Sequence, residues 1–217
     1  MKIFKHDFVD LPKLQRVESD GKRFYLTPSG KKYQSVTTLT GILSKKAIAD
    51  WRRKVGEEEA NRISTRAANR GTKLHKTVEH YLRNEPYSLN EDYLNKSMFI
   101  KIRPALGDID NIKVIEGTMY SDTLELAGTA DCIAEYKGSL SIIDFKTSTK
   151  VKSIDQIKGY WMQGAAYGKM YEEFTGVKPE KIVIIFSVEN VNFPVTYEKP
   201  YEECLKYLMD FIEELNN

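Results

Sequence analysis

Cysteine is nearly absent from this chain: Cys132 and Cys204 are the two in 217 residues. Two thiols cannot build a disulfide framework, and they fall short of the four thiolates that hold an iron–sulfur cluster. A reducing compartment is the expected setting. Long apolar runs are missing as well. The longest purely apolar stretch is residues 182–186, a strand's length, whereas a membrane span needs about 20 apolar residues. The opening Met1-Lys-Ile-Phe-Lys-His-Asp7 has no apolar h-region and no Arg/Ser-rich transit pattern, so the cytoplasm is the expected location and no membrane is involved. No G-x-x-x-x-G-K-[ST] occurs, so no P-loop motor is expected. Histidine is scarce. His75 and His80 are five residues apart, about 140° around a helix, so they cannot grip one ion from a single face in the manner of the H-E-x-x-H zinc proteases.

What remains is an ordinary globular composition, 41% apolar and 29% charged. The length suits one domain. A single unit over residues 1–217 is expected, with a hairpin and basic helices over about 1–110 and a mixed sheet over about 111–217. The formal net charge of +2 hides a division. Residues 44–76 carry ten lysines or arginines against four acids, whereas residues 171–217 carry four lysines against ten acids. One region is therefore suited to attract an anion and the C-terminal end is not. On charge alone, the basic segment also reads as a well-solvated helical hairpin.

Residues 23–36 read as a hairpin about the turn Thr27-Pro28-Ser29-Gly30. Residues 35–44 read as a short helix capped by Ser35 or Thr37. Residues 46–69 form a basic helical region containing Trp51, with a break near Gly56. Residues 71–83 read as a helix burying Leu74, Val78, Tyr81 and Leu82. Residues 91–105 give another helix, ended near Pro104 and Gly107. The texture then turns to β-formers at 113–120, 124–136 and 139–147, the last two joined by Lys137-Gly138. Residues 154–174 are helical, closed by Gly176 and Pro179. Residues 182–188 form a short apolar strand of the kind buried on both faces, with 191–197 as its partner. A final helix over 201–215 turns Cys204, Leu205, Leu208, Met209 and Ile212 inward. The class is α/β: a mixed sheet flanked by helices, with the helices concentrated in the first half.

Several polar residues sit where apolar ones would be cheaper. Asp144 and Lys146 share one face of the strand 139–147, following Leu140 and Ile142. Opposite charges ending an apolar face are costly unless something uses them, although such a pair is also an ordinary strand-end ion pair. Counting back from the Lys137-Gly138 turn brings Asp131 roughly opposite Asp144. Two carboxylates that close repel unless a proton or a cation is shared, and oxygen ligation suits Mg²⁺ or Mn²⁺. A lysine beside them can orient water and stabilise charge developing on a phosphate. Glu116, one strand earlier, either joins this pocket or faces solvent. Glu135 and Asp122 read as solvent-facing or turn residues. His75 either pairs with Glu79 one helical turn on or adds an imidazole to the cation site. Gln163 and Tyr167, at i and i+4 beside Gly164, Ala165 and Ala166, share one helix face.

Taken in order, these residues form Gly71-x-x-x-His75, Glu116, Gly128-x-x-Asp131, Asp144-x-Lys146-Thr147 and Gln163-x-x-x-Tyr167. This set resembles the RecB-like branch of the PD-(D/E)XK nuclease superfamily. Residues 116–167 are most similar to the mitochondrial genome maintenance exonucleases and their phage and bacterial relatives. The resemblance covers roughly residues 35–167. It implies a restriction-endonuclease-like αβββαβ core with an N-terminal helical arch. It also implies a deoxyribonuclease using Mg²⁺ or Mn²⁺ and acting as an exonuclease on single-stranded DNA. His75, Asp131, Asp144 and the Phe145 carbonyl would hold the metal, Lys146 would be the catalytic lysine, and Gln163 and Tyr167 would support the site and contact DNA; Glu116 is the less settled carboxylate. The iron–sulfur relatives need four cysteines, so no cluster is expected.

The resemblance further implies that the basic helices admit a single-stranded end. Trp51, Arg52, Arg53, Arg66, Arg70 and Lys73, with Ser35, Thr37 and Thr147, are the expected DNA contacts. Plain helix capping is the other reading of Ser35 and Thr37. A monomer in a bacterial or phage-infected cytosol is expected. Double-stranded ends, structure-specific endonuclease action and a non-catalytic recombination accessory remain the alternatives.

Overall fold

The computed structural model describes residues 2–19, 21–89 and 92–216. One eight-stranded mixed sheet runs through it. It begins with an antiparallel meander, β1 (Gln15–Ser19), β2 (Lys22–Leu26) and β3 (Lys32–Ser35). Two long helices follow, α1 (Val36–Val55) and α2 (Glu57–Leu82), then α3 (Tyr93–Leu106). The centre of the sheet is the antiparallel set β4 (Ile109–Ser121), β5 (Leu126–Tyr136) and β6 (Ser139–Ser148). Helix α4 (Lys158–Thr175), preceded by a short 3-10 turn, crosses over to β7 (Lys181–Val188), which lies parallel to β6. Strand β8 (Val195–Pro200) and helix α5 (Tyr201–Asn216) complete the chain. Lys137 and Gly138 both take positive φ, as a tight turn between β5 and β6 requires.

The mixed α/β class expected from the sequence is the class observed. Two apolar cores lie on opposite faces of the sheet. Val36 and Leu39 of α1 join α4 and α5 on one face, over Ile142, Ile182, Ile184 and Phe186. Helices α2 and α3 cover the other, over Ile143, Phe145, Val183 and Ile185. Strand β7 alternates between these cores and is buried almost throughout, which explains its unbroken apolar sequence. Cys132 and Cys204 belong to opposite cores.

Four expectations need correction. The helix starting at Ser35 is not short: no Gly or Pro interrupts it between Gly41 and Gly56, and it runs twenty residues. Ser35 is its N-cap but gives it no side-chain hydrogen bond. Gly56, at φ 86° and ψ 150°, sits in a region that only glycine enters cheaply, and it breaks the path between the two helices. The helix carrying His75 begins at Glu57 rather than near Gly71, with Glu57, Glu58 and Glu59 set against its N-terminal dipole. The partner of β7 starts at Val195, after a turn over 189–194. In α5 the buried stripe is Tyr201, Cys204, Leu208 and Phe211; Met209 is 46% exposed. Position 91, at the expected start of the third helix, lies outside the described residues.

Glycines set the closeness of α4. A Cβ on Gly164 would lie 2.6 Å from the Ile182 side chain, and one on Gly168 would lie 2.4 Å from the Tyr201 ring, itself fully buried. Gly168→Ala is therefore expected to lower stability by about 1–3 kcal/mol in urea unfolding. Gly41→Ala, in a helix with open space around the new methyl, should raise stability by up to about 1 kcal/mol.

Candidate active site

The site forms where the sheet divides. Strand β4 covers one edge of β5 along most of its length. The other edge is shared: β3 takes its start, at Leu126 and Ala127, and β6 takes its end, from Cys132 to Tyr136. Between them, residues 128–131 have no strand partner on that side among the described residues. Beyond Ile143, β6 is paired by β7 alone. Asp131 bridges the opening: its Oδ2 accepts a hydrogen bond from the Phe145 backbone N–H at 2.9 Å.

The strand alternation slips at the same level. Leu126 and Ala130 pack in the α4 core, whereas Cys132, Ala134 and Tyr136 pack in the α2 core. On β4, Ile115 faces α2, and Val114 and Met119 face α4. Glu116, between the pairs Ile115–Cys132 and Gly117–Ala130, takes φ 48°. That backbone costs a non-glycine residue on the order of 1–3 kcal/mol and recurs where strands kink beside functional sites.

Three side chains meet at the slip. One ligand atom from each of His75, Glu116 and Asp131 lies within 4.8 Å of the other two. His75 Nδ1 is 3.4 Å from Glu116 Oε1 and 3.6 Å from Asp131 Oδ1. Its Nε2–H donates to the Phe145 carbonyl at 2.7 Å. The carbonyl expected among the metal ligands is thus engaged by the imidazole, leaving Nδ1 toward the carboxylates. Burial alone would push His75 down, but Asp131 and Glu116 outweigh it and hold it up at about 9. The alternative pairing of His75 with Glu79 does not form: Glu79 accepts from Arg83 at 3.1 Å instead.

Asp144 and Lys146 lie on the α4 side of β6. Asp144 Oδ1 accepts from Lys146 Nζ at 2.5 Å and from Gln163 Nε2 at 3.2 Å, while Oδ2 is buried with no hydrogen-bond partner. Burial pushes the Asp144 carboxyl up to about 6, against the pull of Lys146. For Lys146, burial works against the charge, but Asp144 and Asp131 overcome it and keep the ammonium more basic than an ordinary lysine. Tyr167 is buried against β5: a Cβ on Gly128 would sit 2.8 Å from its ring and 3.0 Å from its hydroxyl. The glycine of Gly128-x-x-Asp131 therefore leaves room for the tyrosine of Gln163-x-x-x-Tyr167.

Tyr160 was missed in the sequence. Its ring centroid lies 5.0 Å from Lys146 Nζ. Its signal was the spacing Tyr160, Gln163, Tyr167, a single helix face at i, i+3 and i+7. Two openings reach the lysine. One, about 390 Å³, is lined by Arg16, Arg23, Ser35, His75, Glu116, Asp131 and Tyr167 among others. The second, about 750 Å³, lies between α1 and α4 and is lined by Thr40, Ser44, Lys152 and Tyr160. Thr37, Lys146 and Gln163 line both.

The expected DNA contacts scatter. Arg70 is not a surface residue: its side chain is 7% exposed and ion-paired with Glu189. It precedes Leu74 by one turn and so falls on the inward stripe of α2. Arg52 pairs with Glu57 and Asn61, Arg53 with Asp50, and Lys73 with Asp92 at 2.5 Å. Ser35 Oγ and Thr37 Oγ1 are hydrogen-bonded to each other at 2.7 Å. Arg66 is exposed, Trp51 half-buried, and Thr147 lies near Gly71 where α2 passes β6. Asp122 holds Lys31 and Tyr33, and Glu135 accepts from Asn111 at 2.7 Å.

No family model matches the chain. Over 104 residues it is 31% identical to mitochondrial genome maintenance exonuclease 1 of Homo sapiens, a stretch covering 47% of this chain and 30% of that protein. The Mus musculus protein of the same name is 29% identical over 101 residues, covering 46% of this chain and 30% of its own length. Among solved structures, one titled "Crystal structure of SSO0001" matches with a TM-score of 0.41 and 17% identity, over 84% of this chain and 76% of that one. The matched stretch spans less than a third of the curated relatives' length. The chain is thus similar, over under half of its residues, to proteins named as exonucleases.

Proposed function

We propose that the protein is a divalent-metal-dependent deoxyribonuclease: an exonuclease that hydrolyses phosphodiester bonds at single-stranded DNA ends led past α1 and α2. The convergence of His75, Glu116 and Asp131 where the sheet divides, beside the Asp144–Lys146 pair, carries this reading. Similarity to proteins named as exonucleases supports it. The donor set fits a hard cation: carboxylate oxygens with one imidazole suit Mg²⁺ or Mn²⁺. The unpartnered, buried Asp144 Oδ2 is the kind of atom that such an ion would satisfy. His75, Glu116 and Asp131 would hold it, with Asp144 as a further carboxylate. A bound ion supplies positive charge to the phosphate and makes water a better nucleophile.

The remaining chemistry belongs to the chain. Lys146 donates to Asp144 and lines both openings, which sets its amino group to face an incoming phosphate. The Tyr160 ring and the Asp144 carboxylate hold the lysine in place, and Gln163 in turn anchors Asp144. In the reaction, water adds to phosphorus and one P–O ester bond breaks, leaving a phosphate monoester and a hydroxyl. The helices suit a strand's approach. Every residue from Gly41 to Asp50 is exposed, including Ile42, Leu43 and Ile48, so α1 projects from the body and offers apolar surface among its lysines.

An end-labelled single strand incubated with Mg²⁺, Mn²⁺ or EDTA, beside a circular single strand, tests this reading. Metal-dependent cleavage of the linear strand alone is expected, with Lys146→Ala slower by about 100-fold or more. Cleavage of the circle would make the protein an endonuclease. Binding without cleavage would make it a non-catalytic DNA-binding protein. Mn²⁺ should raise the melting temperature by mass action, and Glu116→Gln and Asp131→Asn should each weaken its binding at least about tenfold in calorimetric titration. Lys76 lines the outer mouth of the site, and Arg66 and Lys76 are both exposed. Arg66→Gln and Lys76→Gln should each reduce the slope of log K against log salt by about one.

A further inference from the structure

The cavity holding the Glu116 and Asp131 carboxylates has a wall that hydrolysis itself does not use. Arg16 and Arg23 of the β1–β2 hairpin line it, with Tyr25. The hairpin reaches the site because β3, its third strand, lies parallel to the start of β5, four residues before Asp131. Cross-strand register sets Arg16 beside Tyr25 and Arg23 beside Glu18. Tyr25 is buried, with its hydroxyl 3.5 Å from Thr129 Oγ1 on β5, and this fixes the hairpin against the strand that bears Asp131.

The charges on this wall are unbalanced. Arg16 donates to Glu18 Oε1 at 2.6 Å. Arg23 is half-buried, makes no hydrogen bond or contact-distance ion pair among the described residues, and feels the same Glu18 carboxylate only at longer range. Two guanidinium groups thus share one carboxylate. A guanidinium presents a planar fork of donors matched to phosphate oxygens, and it is held half-buried at a cost unless an anion answers it.

We infer that Arg16 and Arg23 form a subsite for a terminal phosphate monoester of the nucleic-acid strand. The inference rests on the nuclease reading for the strand's presence at the carboxylates. A monoester carries about −1.5 to −2 charge near neutral pH, against −1 for an internal diester, so it is the strand group that best matches two guanidinium groups. Hydrolysis creates that group at every cut. A strand whose end sits between the arginines presents a bond near its terminus to the acids, and the hairpin thereby restricts cleavage to ends.

Fluorescence anisotropy in EDTA, with short single strands carrying a 5′-phosphate, a 3′-phosphate or hydroxyls at both ends, reads the subsite without any cleavage. The wild-type protein is expected to bind one phosphate-ended strand about tenfold more tightly than the hydroxyl-ended strand, and the arm that gains identifies the end. In Arg23→Gln, and in Arg16→Gln combined with it, that ratio should fall to near one, with unchanged thermal unfolding establishing that the variants fold. Arg23→Lys, which keeps the charge but loses the fork, should retain only part of the ratio. Equal binding of all three strands by the wild type overturns the inference, as does a ratio that survives the double variant. If the arginine-dependent ratio is present but no strand is cleaved with Mn²⁺, the nuclease reading fails and the phosphate subsite stands.

Discussion

The molecule is organised around a missing ladder. β5 can be paired on two edges, and on one of them two different strands claim its ends, leaving residues 128–131 without a strand neighbour among the described residues. A backbone amide left open inside a protein must find a partner. Here the Asp131 carboxylate takes the Phe145 N–H, and His75 reaches the Phe145 carbonyl from the opposite layer. Helix α2 is thereby tied to β6 at its own catalytic candidate. The buried Arg70–Glu189 pair and the Lys101 contacts to the Val188 and Glu189 carbonyls hold the same helix layer to the far end of β7.

That arrangement concentrates charge at a low-dielectric point, and the charges are legible as a balance. Asp144 is buried with Lys146 and would be costly alone; Glu116 and Asp131 are drawn together around an imidazole whose basicity they raise. Without a cation the cluster is held by His75 as a proton carrier. With one, the same lone pairs serve as ligands. A site that could use either partner would fold without depending on a cation.

Local pattern carried much of this in the sequence. The Lys137-Gly138 turn fixes the register of β5 and β6, and the observed pair Cys132–Ile143 puts Asp131 and Asp144 where counting from the turn put them. The strand β7 and the break at Gly56 were equally local. Arg70 could have been placed by helical phase, since it shares the stripe of Leu74, but a run of basic residues conceals rotation. The kink at Glu116 leaves no local signal, because neither neighbouring sequence nor propensity asks a glutamate to take a positive φ. The arginines of the hairpin were also beyond reach: their position depends on β3 meeting β5, a parallel contact between segments about ninety residues apart that no turn dictates.

The thin attachment of α1 has a further consequence for how the molecule breathes. Within that helix only Val36 and Leu39 are buried, both in its first turn, while the central strands are sealed between two cores. Opening the helical projection therefore exposes little apolar surface and forfeits little free energy, whereas opening the sheet requires global unfolding. The two parts sit at opposite ends of the protein's stability scale: the amide protons of α1 are expected to exchange through local excursions, well before those of the strands bearing Asp131 and Asp144.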